Sequence, residues 1–137
     1  MFRKEVNRLV LLGVIEEANY YEWGAPSFAQ AKLKTYRIRF LSDFRNLNSQ
    51  LKYNPYPMPK ICEMLLNLEC FQYATSLDLN MGYYHTCLIK KSSNLCTIIL
   101  PWGEYKYKCL PMGGCNSEDI FREKMNETFR GIEFIRA

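Results

Sequence analysis

One histidine, His85, occurs in the 137-residue sequence, and the six cysteines include no Cys-x-x-Cys pair. Structural zinc sites generally draw their ligands from cysteines and histidines about two to four residues apart, so no structural metal is expected. With a single imidazole, no pair of nucleophile and histidine base stands out either. We therefore expect His85 to be a structural or surface residue.

Long apolar runs are also absent. Charged residues occur from the third position onward, no apolar run of signal-peptide length follows, and nothing approaches the roughly eighteen apolar residues of a membrane span. Disulfides are uncommon without a secretory signal, so the cysteines are expected to be reduced thiols: Cys62, Cys70, Cys87, Cys96, Cys109 and Cys115. These absences predict an intracellular protein of the cytoplasm or nucleus with no membrane partner.

The sequence does have apolar content and a local excess of positive charge. Hydrophobic residues make up 48% of it and aromatics 15%, which is enough for the core of one modest domain. Between Gln30 and Lys60, seven basic residues face one acid, Asp43. Such a block suits nucleic acid, because neutralising phosphates releases counterions. A solvated surface rich in lysine and arginine is the alternative explanation.

The order of the periodic segments predicts an α+β fold with a mainly antiparallel sheet. Two extended runs, Ser27–Gln30 and Tyr36–Leu41, predict a β-hairpin in the basic block. Period-two alternation places Arg37 and Arg39 on one face of its second strand, so the two guanidinium groups are expected to project together.

The remaining elements are predicted from the same kinds of pattern. They are helices over Arg3–Leu12 (closed by Gly13), Pro59–Leu68 and Ser117–Phe129, an extended connector over Asn54–Pro59, and strands over Tyr73–Leu79, Thr86–Ile89, Leu95–Leu100, Glu104–Cys109 and from Ile132. Asp78 stands out in this pattern, because a carboxylate among strand-forming apolar residues is costly to bury without a partner or a cation.

Three local motifs follow one another in a specific order. They are Asp43-Phe44-Arg45-Asn46-Leu47-Asn48, Ser76-Leu77-Asp78-Leu79-Asn80-Met81-Gly82-Tyr83, and Leu110-Pro111-Met112-Gly113. Their order and separations, with the linker Tyr56-Pro57-Met58-Pro59, resemble gypsy-type LTR-retrotransposon reverse transcriptases, which are RNA-directed DNA polymerases. The resemblance covers essentially the whole chain. It implies reverse-transcriptase-like fingers over about 1–58 and 86–112, and an incomplete palm with packed helices over 59–85 and 113–137.

The resemblance also implies roles for single residues. Asp78 matches the first catalytic aspartate, a ligand of two Mg²⁺ ions that promote nucleotidyl transfer, and Leu79 supplies a backbone carbonyl to the nucleotide-side metal. Tyr83 matches the aromatic beneath the incoming sugar. The other residues implied to contact nucleotide or nucleic acid are Lys32 and Arg39 at the triphosphate, Met112 and Gly113 at the nucleotide, Pro111 in the same loop, and Arg37 and Arg45 at nucleic acid.

Taken alone, two of these residues have ordinary structural explanations. Asp78 would be a strand-end aspartate hydrogen-bonded to backbone, and Tyr83, like its neighbour Tyr84, would be a core aromatic. The chain also departs from the family pattern at Cys70, where glycine is usual, and at Glu118, where proline is usual. Both departures are of the kind that sequence drift produces.

The family follows the region of Phe134–Ala137 with a Tyr-x-Asp-Asp motif, whose two aspartates complete the metal site, and this sequence ends first. One carboxylate does not hold two Mg²⁺ ions at catalytic geometry. The leading hypothesis is therefore a fragment of a retrotransposon reverse transcriptase that is inactive alone. The intact family acts on an RNA or DNA template-primer and on deoxynucleoside triphosphates.

Two other hypotheses stay open at this point. The basic fingers alone would make a non-catalytic nucleic-acid-binding module. A decayed remnant with an unfinished sheet would expose a strand edge and apolar surface, which favours self-association.

Overall fold

The computed structural model describes residues 2–19, 22–31, 38–57, 62 and 72–132. Its elements, in chain order, are α1 (Phe2–Leu11), β1 (Ile15–Glu17), β2 (Ala25–Ala31), β3 (Ile38–Ser42), α2 (Arg45–Gln50), a 3-10 helix (Gly82–His85), α3 (Lys90–Leu95), β4 (Thr97–Leu100), β5 (Gly103–Tyr107) and α4 (Ser117–Thr128). Apart from Cys62, the predicted helix Pro59–Leu68 lies outside the described residues, as does the predicted strand beyond Ile132. Within the described ranges, no helix has both the length and the apolar character needed to cross a membrane.

The described strands form a five-stranded sheet in the order β1-β5-β4-β2-β3. Neighbours pair antiparallel at β1/β5, β4/β5 and β2/β3. The pair β2/β4 is parallel, with Ala25 opposite Ile98 and Pro26 opposite Ile99. The predicted α+β class with a mainly antiparallel sheet is confirmed.

Helix α1 forms and ends as the sequence predicts. Val6 and Leu9 recur at helical spacing and are buried, and Gly13 follows the helix with φ +70°, a left-handed conformation that glycine adopts without steric cost. The Val14 amide then donates to the Leu9 carbonyl at 3.0 Å. This closure turns the chain back, so that Val14 and Ile15 are buried beneath the helix that precedes them.

The core lies where α1 and the central strands meet. Ile98 and Thr97 of β4 are fully buried, and Tyr107 of β5 is nearly so. The Tyr107 ring lies 6.0 Å from that of Phe44, just before α2, and its hydroxyl is 3.3 Å from the Ser42 hydroxyl of β3. Aromatic and hydroxyl contacts therefore join β5 to the edge strand β3 and to the start of α2.

Two predicted strands are not found. Thr86–Ile89 makes a single antiparallel bridge, between Cys87 and Cys109, and the chain then forms α3, which the sequence patterns did not predict. Tyr73–Leu79 has no regular secondary structure, and Tyr73 and Leu77 are 91% and 87% exposed. A strand is defined by its hydrogen-bonded neighbour, and the expected neighbour of Tyr73–Leu79 lies beyond Ile132, outside the described part of the chain.

Side chains at the start of α4 hold the first residues of the connector that was predicted over Asn54–Pro59, of which Met58 and Pro59 lie outside the described residues. The Asn54 amide donates to Asn116 Oδ1 at 3.0 Å and the Tyr56 amide to Asp119 Oδ1 at 2.9 Å. Asn116 Nδ2 also donates to the Lys52 carbonyl at 3.0 Å. The helix begins at Ser117, as predicted, with Asn116 before it and no side-chain cap. The Asn116 amide is engaged with the connector instead.

We predict that Ile98→Ala lowers the free energy of unfolding by about 2–5 kcal/mol, because it removes a fully buried side chain and leaves a cavity. The adjacent Ile99→Ala is the matched control, since Ile99 is 38% exposed and loses less buried surface. Urea unfolding followed by circular dichroism measures both. Equal losses for the two variants would contradict this description of the core.

Candidate nucleotide and nucleic-acid site

A cavity of about 270 Å³ opens between α1 and β3. It is lined by residues from α1, from β3, from the segment leading into the 3-10 helix and from the loop after β5: Glu5, Arg8, Leu9, Ile38, Arg39, Phe40, Met81, Tyr84 and Met112. Two residues implied by the family resemblance, Arg39 and Met112, thus line one cavity although they lie on distant parts of the chain. The resemblance did not single out Arg8, Met81 or Tyr84 for such a position.

Arg39 reaches the cavity from the paired strand β3. It lies opposite Gln30 in the β2/β3 register and is exposed, whereas its neighbours Ile38 and Phe40 are half-buried. This alternation follows the period of a strand and was predicted. Arg37 and Lys32 lie outside the described residues, so their proposed positions beside Arg39 stay predictions.

Arg8 supplies a second guanidinium to the cavity wall. It donates to both carboxylate oxygens of Glu5, at 2.7 and 3.0 Å, and lies 3.7 Å from the Met81 sulfur. The hydrogen bonds from Arg8 lower the pKa of Glu5, and those to Glu5 raise the pKa of Arg8. The pair is therefore fully ionised at neutral pH. Only the three-residue spacing of Glu5 and Arg8 on a helix hints at this pairing in the sequence.

The chain turns sharply between Asp78 and Tyr83. Met81 has φ +57°, an uncommon left-handed value for a residue other than glycine, and it leads into the 3-10 helix. A Cβ atom on Gly82 would lie 2.9 Å from Phe121 Cζ, so glycine lets the α4 ring approach closely. The Tyr83 ring packs on Phe121 with centroids 5.0 Å apart. Contacts with α4 thus hold Tyr83 in place.

Tyr84, rather than Tyr83, lines the cavity. Its ring also packs against that of Tyr107 at 6.4 Å, and burial raises the pKa of its hydroxyl. Tyr84 is therefore a core aromatic where its ring packs against Tyr107, as predicted, and it is also part of the cavity wall. The role implied for Tyr83 beneath an incoming sugar stays a prediction.

One asparagine of α2, Asn48, holds the backbone at the end of the loop Pro111–Gly113. Asn48 Nδ2 donates to the Gly113 carbonyl at 2.8 Å, and Asn48 Oδ1 accepts from the Cys115 amide at 2.9 Å. Gly113 has φ +95°, which favours glycine at this position. Pro111 is buried and Met112 is 49% exposed. The loop is therefore anchored directly after Met112, the residue that reaches the cavity.

Asp78 and Leu79 lie apart from the cavity wall. Residues 73–79 pair with no strand among the described residues, and both Asp78 and Leu79 are exposed, so the Asp78 carboxylate bears no cost of burial. Their oxygens are hard donors of the kind that suits Mg²⁺, but they amount to one carboxylate and one carbonyl. No group of three or more histidine, cysteine, aspartate or glutamate residues able to hold a metal occurs in the described ranges.

Arg45 is committed to an ion pair at the start of α2. Its Nε and Nη2 atoms donate to Asp43 Oδ1 and Oδ2 at 2.9 and 2.6 Å, and hydrogen bonds from Arg45 lower the pKa of Asp43 to about 2. A carboxyl with a depressed pKa stabilises the fold above its ordinary pKa of 3.8, and the contribution is lost as the pH falls from there towards 2. The Arg45 side chain is still 90% exposed, so one face of the guanidinium remains open to solvent.

The chain is similar in sequence to polyproteins of viruses and transposons. No protein-family model matches the chain. The putative enzymatic polyprotein of Cassava vein mosaic virus is 28% identical over 135 residues, which are 94% of this chain and 21% of that protein. The retrovirus-related Pol polyprotein from transposon gypsy of Drosophila melanogaster is 29% identical over 131 residues, or 92% of this chain and 13% of that protein.

A solved structure shares the fold over nearly the whole chain. It is the foamy viral protease-reverse transcriptase in complex with dsDNA, with a TM-score of 0.88 and 19% identity over 99% of this chain and 28% of that one. The fold is therefore that of the matched part of a reverse transcriptase. The resemblance to gypsy-type LTR-retrotransposon enzymes is confirmed by the gypsy polyprotein among its relatives. The chain spans about a fifth or less of the length of these two polyproteins.

We predict that Asn48→Ala lowers the free energy of unfolding by about 1–2 kcal/mol, because it removes two hydrogen bonds to the Gly113–Cys115 backbone. Asn46→Ala is the control: the Asn46 side chain contacts only the neighbouring helical side chain Gln50, at 3.3 Å, among the bonds described. Urea unfolding measures both variants. An Asn46→Ala loss as large as that of Asn48→Ala would contradict the anchoring role.

Proposed function

We propose that this chain contributes the fingers and the first part of the palm to a retrotransposon RNA-directed DNA polymerase. The observation that carries the proposal is the cavity at which Arg39 and Met112 meet. Its wall also includes Met81 and Tyr84, which follow Asp78 closely in the chain. Met81 and Met112, from two of the motifs, and Arg39, from the basic block, therefore converge on one region of the molecule.

The chain's own residues suit the binding of a nucleoside triphosphate. Arg39 offers a planar guanidinium that can donate two parallel hydrogen bonds to a phosphate, and Lys32 would add an ammonium point charge. Met112 would lie against the base or sugar, with Gly113 letting the backbone approach it, and Tyr83 would stack beneath the sugar. Arg8 and Glu5 form an ion pair whose charges cancel, so Arg39 carries the net positive charge of the residues that line the cavity.

Asp78 and the Leu79 carbonyl would be this chain's ligands for Mg²⁺. When bound, two such ions activate the attacking hydroxyl and stabilise the leaving group in nucleotidyl transfer. The sequence contains three aspartates, Asp43, Asp78 and Asp119, and Asp43 and Asp119 are engaged with Arg45 and with the Tyr56 amide. These residues alone therefore do not complete a two-metal site.

The proposed partner is a template-primer duplex. The foamy viral protease-reverse transcriptase was solved with dsDNA bound, and the basic block around Arg39 and Arg45 provides exposed cations for phosphates. Pro111, the first residue of the loop Pro111–Gly113, would face the template side. Binding through such cations depends steeply on salt, because each phosphate contact releases counterions.

We predict salt-sensitive binding of a primer-template duplex, measured by fluorescence anisotropy. Replacing Lys32, Arg37 and Arg39 together by alanine is expected to weaken binding and to reduce the slope of log K against log salt by up to about 3. The control triple variant Lys90→Ala, Lys91→Ala, Arg130→Ala removes the same charge from exposed positions elsewhere and is expected to change binding less. Salt-independent binding, or equal losses in the two variants, would contradict the proposed surface.

We further predict that the polypeptide of these 137 residues does not extend a primer. Asp43 and Asp119 are engaged in other contacts, which leaves Asp78 as its one aspartate for binding Mg²⁺. A gel assay with labelled primer, template, deoxynucleoside triphosphates and Mg²⁺ measures extension. Asp78→Ala is run in parallel to exclude a contaminating polymerase. Extension by the wild-type polypeptide that disappears in Asp78→Ala would show that the site is complete without further aspartates.

A further inference from the structure

Cys87 and Cys109 face each other across two chain segments. They form an isolated antiparallel bridge, flanked by hydrogen bonds from the Leu88 amide to the Lys108 carbonyl and from the Leu110 amide to the Thr86 carbonyl, each at 2.8 Å. Because the bonds flank the cysteines and do not join them, Cys87 and Cys109 are a non-hydrogen-bonded pair. In such a pair the Cα atoms are about 4.5 Å apart and the side chains project to the same side.

This geometry matches what a disulfide needs. Bridged cysteines generally have Cα atoms roughly 4.4–6.8 Å apart with their Cβ atoms directed towards each other. The two thiols also interact in the reduced protein: burial, followed by the nearby Cys87 thiol, raises the pKa of Cys109. Neither segment would have to move far for a bond to form.

We propose that Cys87 and Cys109 are a dithiol that closes an intramolecular disulfide by exchange with a small-molecule disulfide such as oxidised glutathione. The pairing is set by the bridge between the two segments and does not depend on the proposed polymerase function. The site is a modification site whose reaction partner is a low-molecular-weight thiol or disulfide.

The exposures of the two thiols set the order of the exchange. Cys87 is exposed, whereas Cys109 is 7% exposed, so the Cys87 thiolate attacks the glutathione disulfide and releases one glutathione thiol. Cys109, after losing its proton to solvent, then attacks the Cys87 sulfur and displaces the second glutathione. The protein dithiol is oxidised to a disulfide, and one oxidised glutathione is reduced to two thiols.

The bond would join two segments that carry candidate site residues. Cys87 follows the 3-10 helix that contains Tyr83, and Cys109 precedes the loop that contains Met112. Backbone hydrogen bonds join the two segments in the reduced protein, and the disulfide would fix the spacing of the helix and the loop covalently. If the proposed function holds, oxidation would therefore lock one wall of the nucleotide cavity.

The test is disulfide mapping of the whole 137-residue chain after incubation in mixtures of oxidised and reduced glutathione. Free thiols are then alkylated, and the products are analysed by intact mass and by peptide mass spectrometry. We expect two of the six thiols to escape alkylation, the protein to lose the mass of two hydrogen atoms, and a linked peptide pair to contain Cys87 and Cys109. A linkage between other cysteines, or glutathione adducts with no internal bond, would overturn the proposal.

Single variants separate the two steps. Cys109→Ser is expected to accumulate a glutathione adduct on Cys87, because the second thiol that would displace it is absent. Cys96→Ser and Cys115→Ser are the controls and are expected to leave the linked pair unchanged. If Cys109→Ser unfolds, as judged by circular dichroism, the exposed Cys87→Ser variant serves in its place and is expected to remain without any internal disulfide. An internal disulfide in folded Cys87→Ser would contradict the assignment.

The readout is covalent linkage, which does not require nucleic acid. A linked pair with no duplex binding would support the dithiol and count against the polymerase proposal, and duplex binding without a linked pair would do the reverse. The two proposals therefore fail separately.

Discussion

The parallel pairing of β2 with β4 is the constraint on which the rest of the structure depends. Ala25 lies opposite Ile98 at this pairing, and both side chains are fully buried. It attaches the β2/β3 hairpin, which carries Arg39, to the β4/β5 hairpin, from which the chain runs on to Met112. Without it the two residues would belong to separate hairpins, and the cavity that they share would not exist.

Hydrogen bonds from side chains then fix the segments that the sheet leaves free. Asn48 binds the backbone on both sides of Gly114, and Asn116 and Asp119 bind the connector that follows α2. These contacts link α2 to the segment Gly113–Cys115 and the connector to the start of α4. The backbone of a site keeps a fixed position only when neighbouring groups hold it there. In this chain, the side chains of Asn48, Asn116 and Asp119 hold it by hydrogen bonds.

The elements with strong local signals could be predicted from the sequence. Gly13 ends α1 as its position after an apolar stripe suggests, and the strands predicted over Leu95–Leu100 and Glu104–Cys109 correspond to β4 and β5. Helix α3 could not be predicted, because its six residues, Lys90–Leu95, are too few to show an apolar period. The strand expected at Tyr73–Leu79 has the right residue types, but strand formation depends on a neighbour that local sequence does not specify.

The candidate site shows the same division between local and tertiary information. Arg39 and Met112 were identified through the family motifs, and the structure brings them to one cavity. Arg8 and Tyr84 were missed as cavity residues, because their positions depend on how α1 packs over the sheet and on the left-handed turn at Met81. Motif spacing contains no information about either contact.

The central claim is that the cavity between α1 and β3 receives a nucleotide at the end of a primer-template duplex. Methyl resonances of the six methionines report on it most directly, because Met81 and Met112 line the cavity while Met125 lies in α4. On adding a short primer-template duplex with a deoxynucleoside triphosphate, we predict shifts at Met81 and Met112 that exceed any shift at Met125. Unchanged Met81 and Met112 signals in the presence of bound duplex would contradict the account.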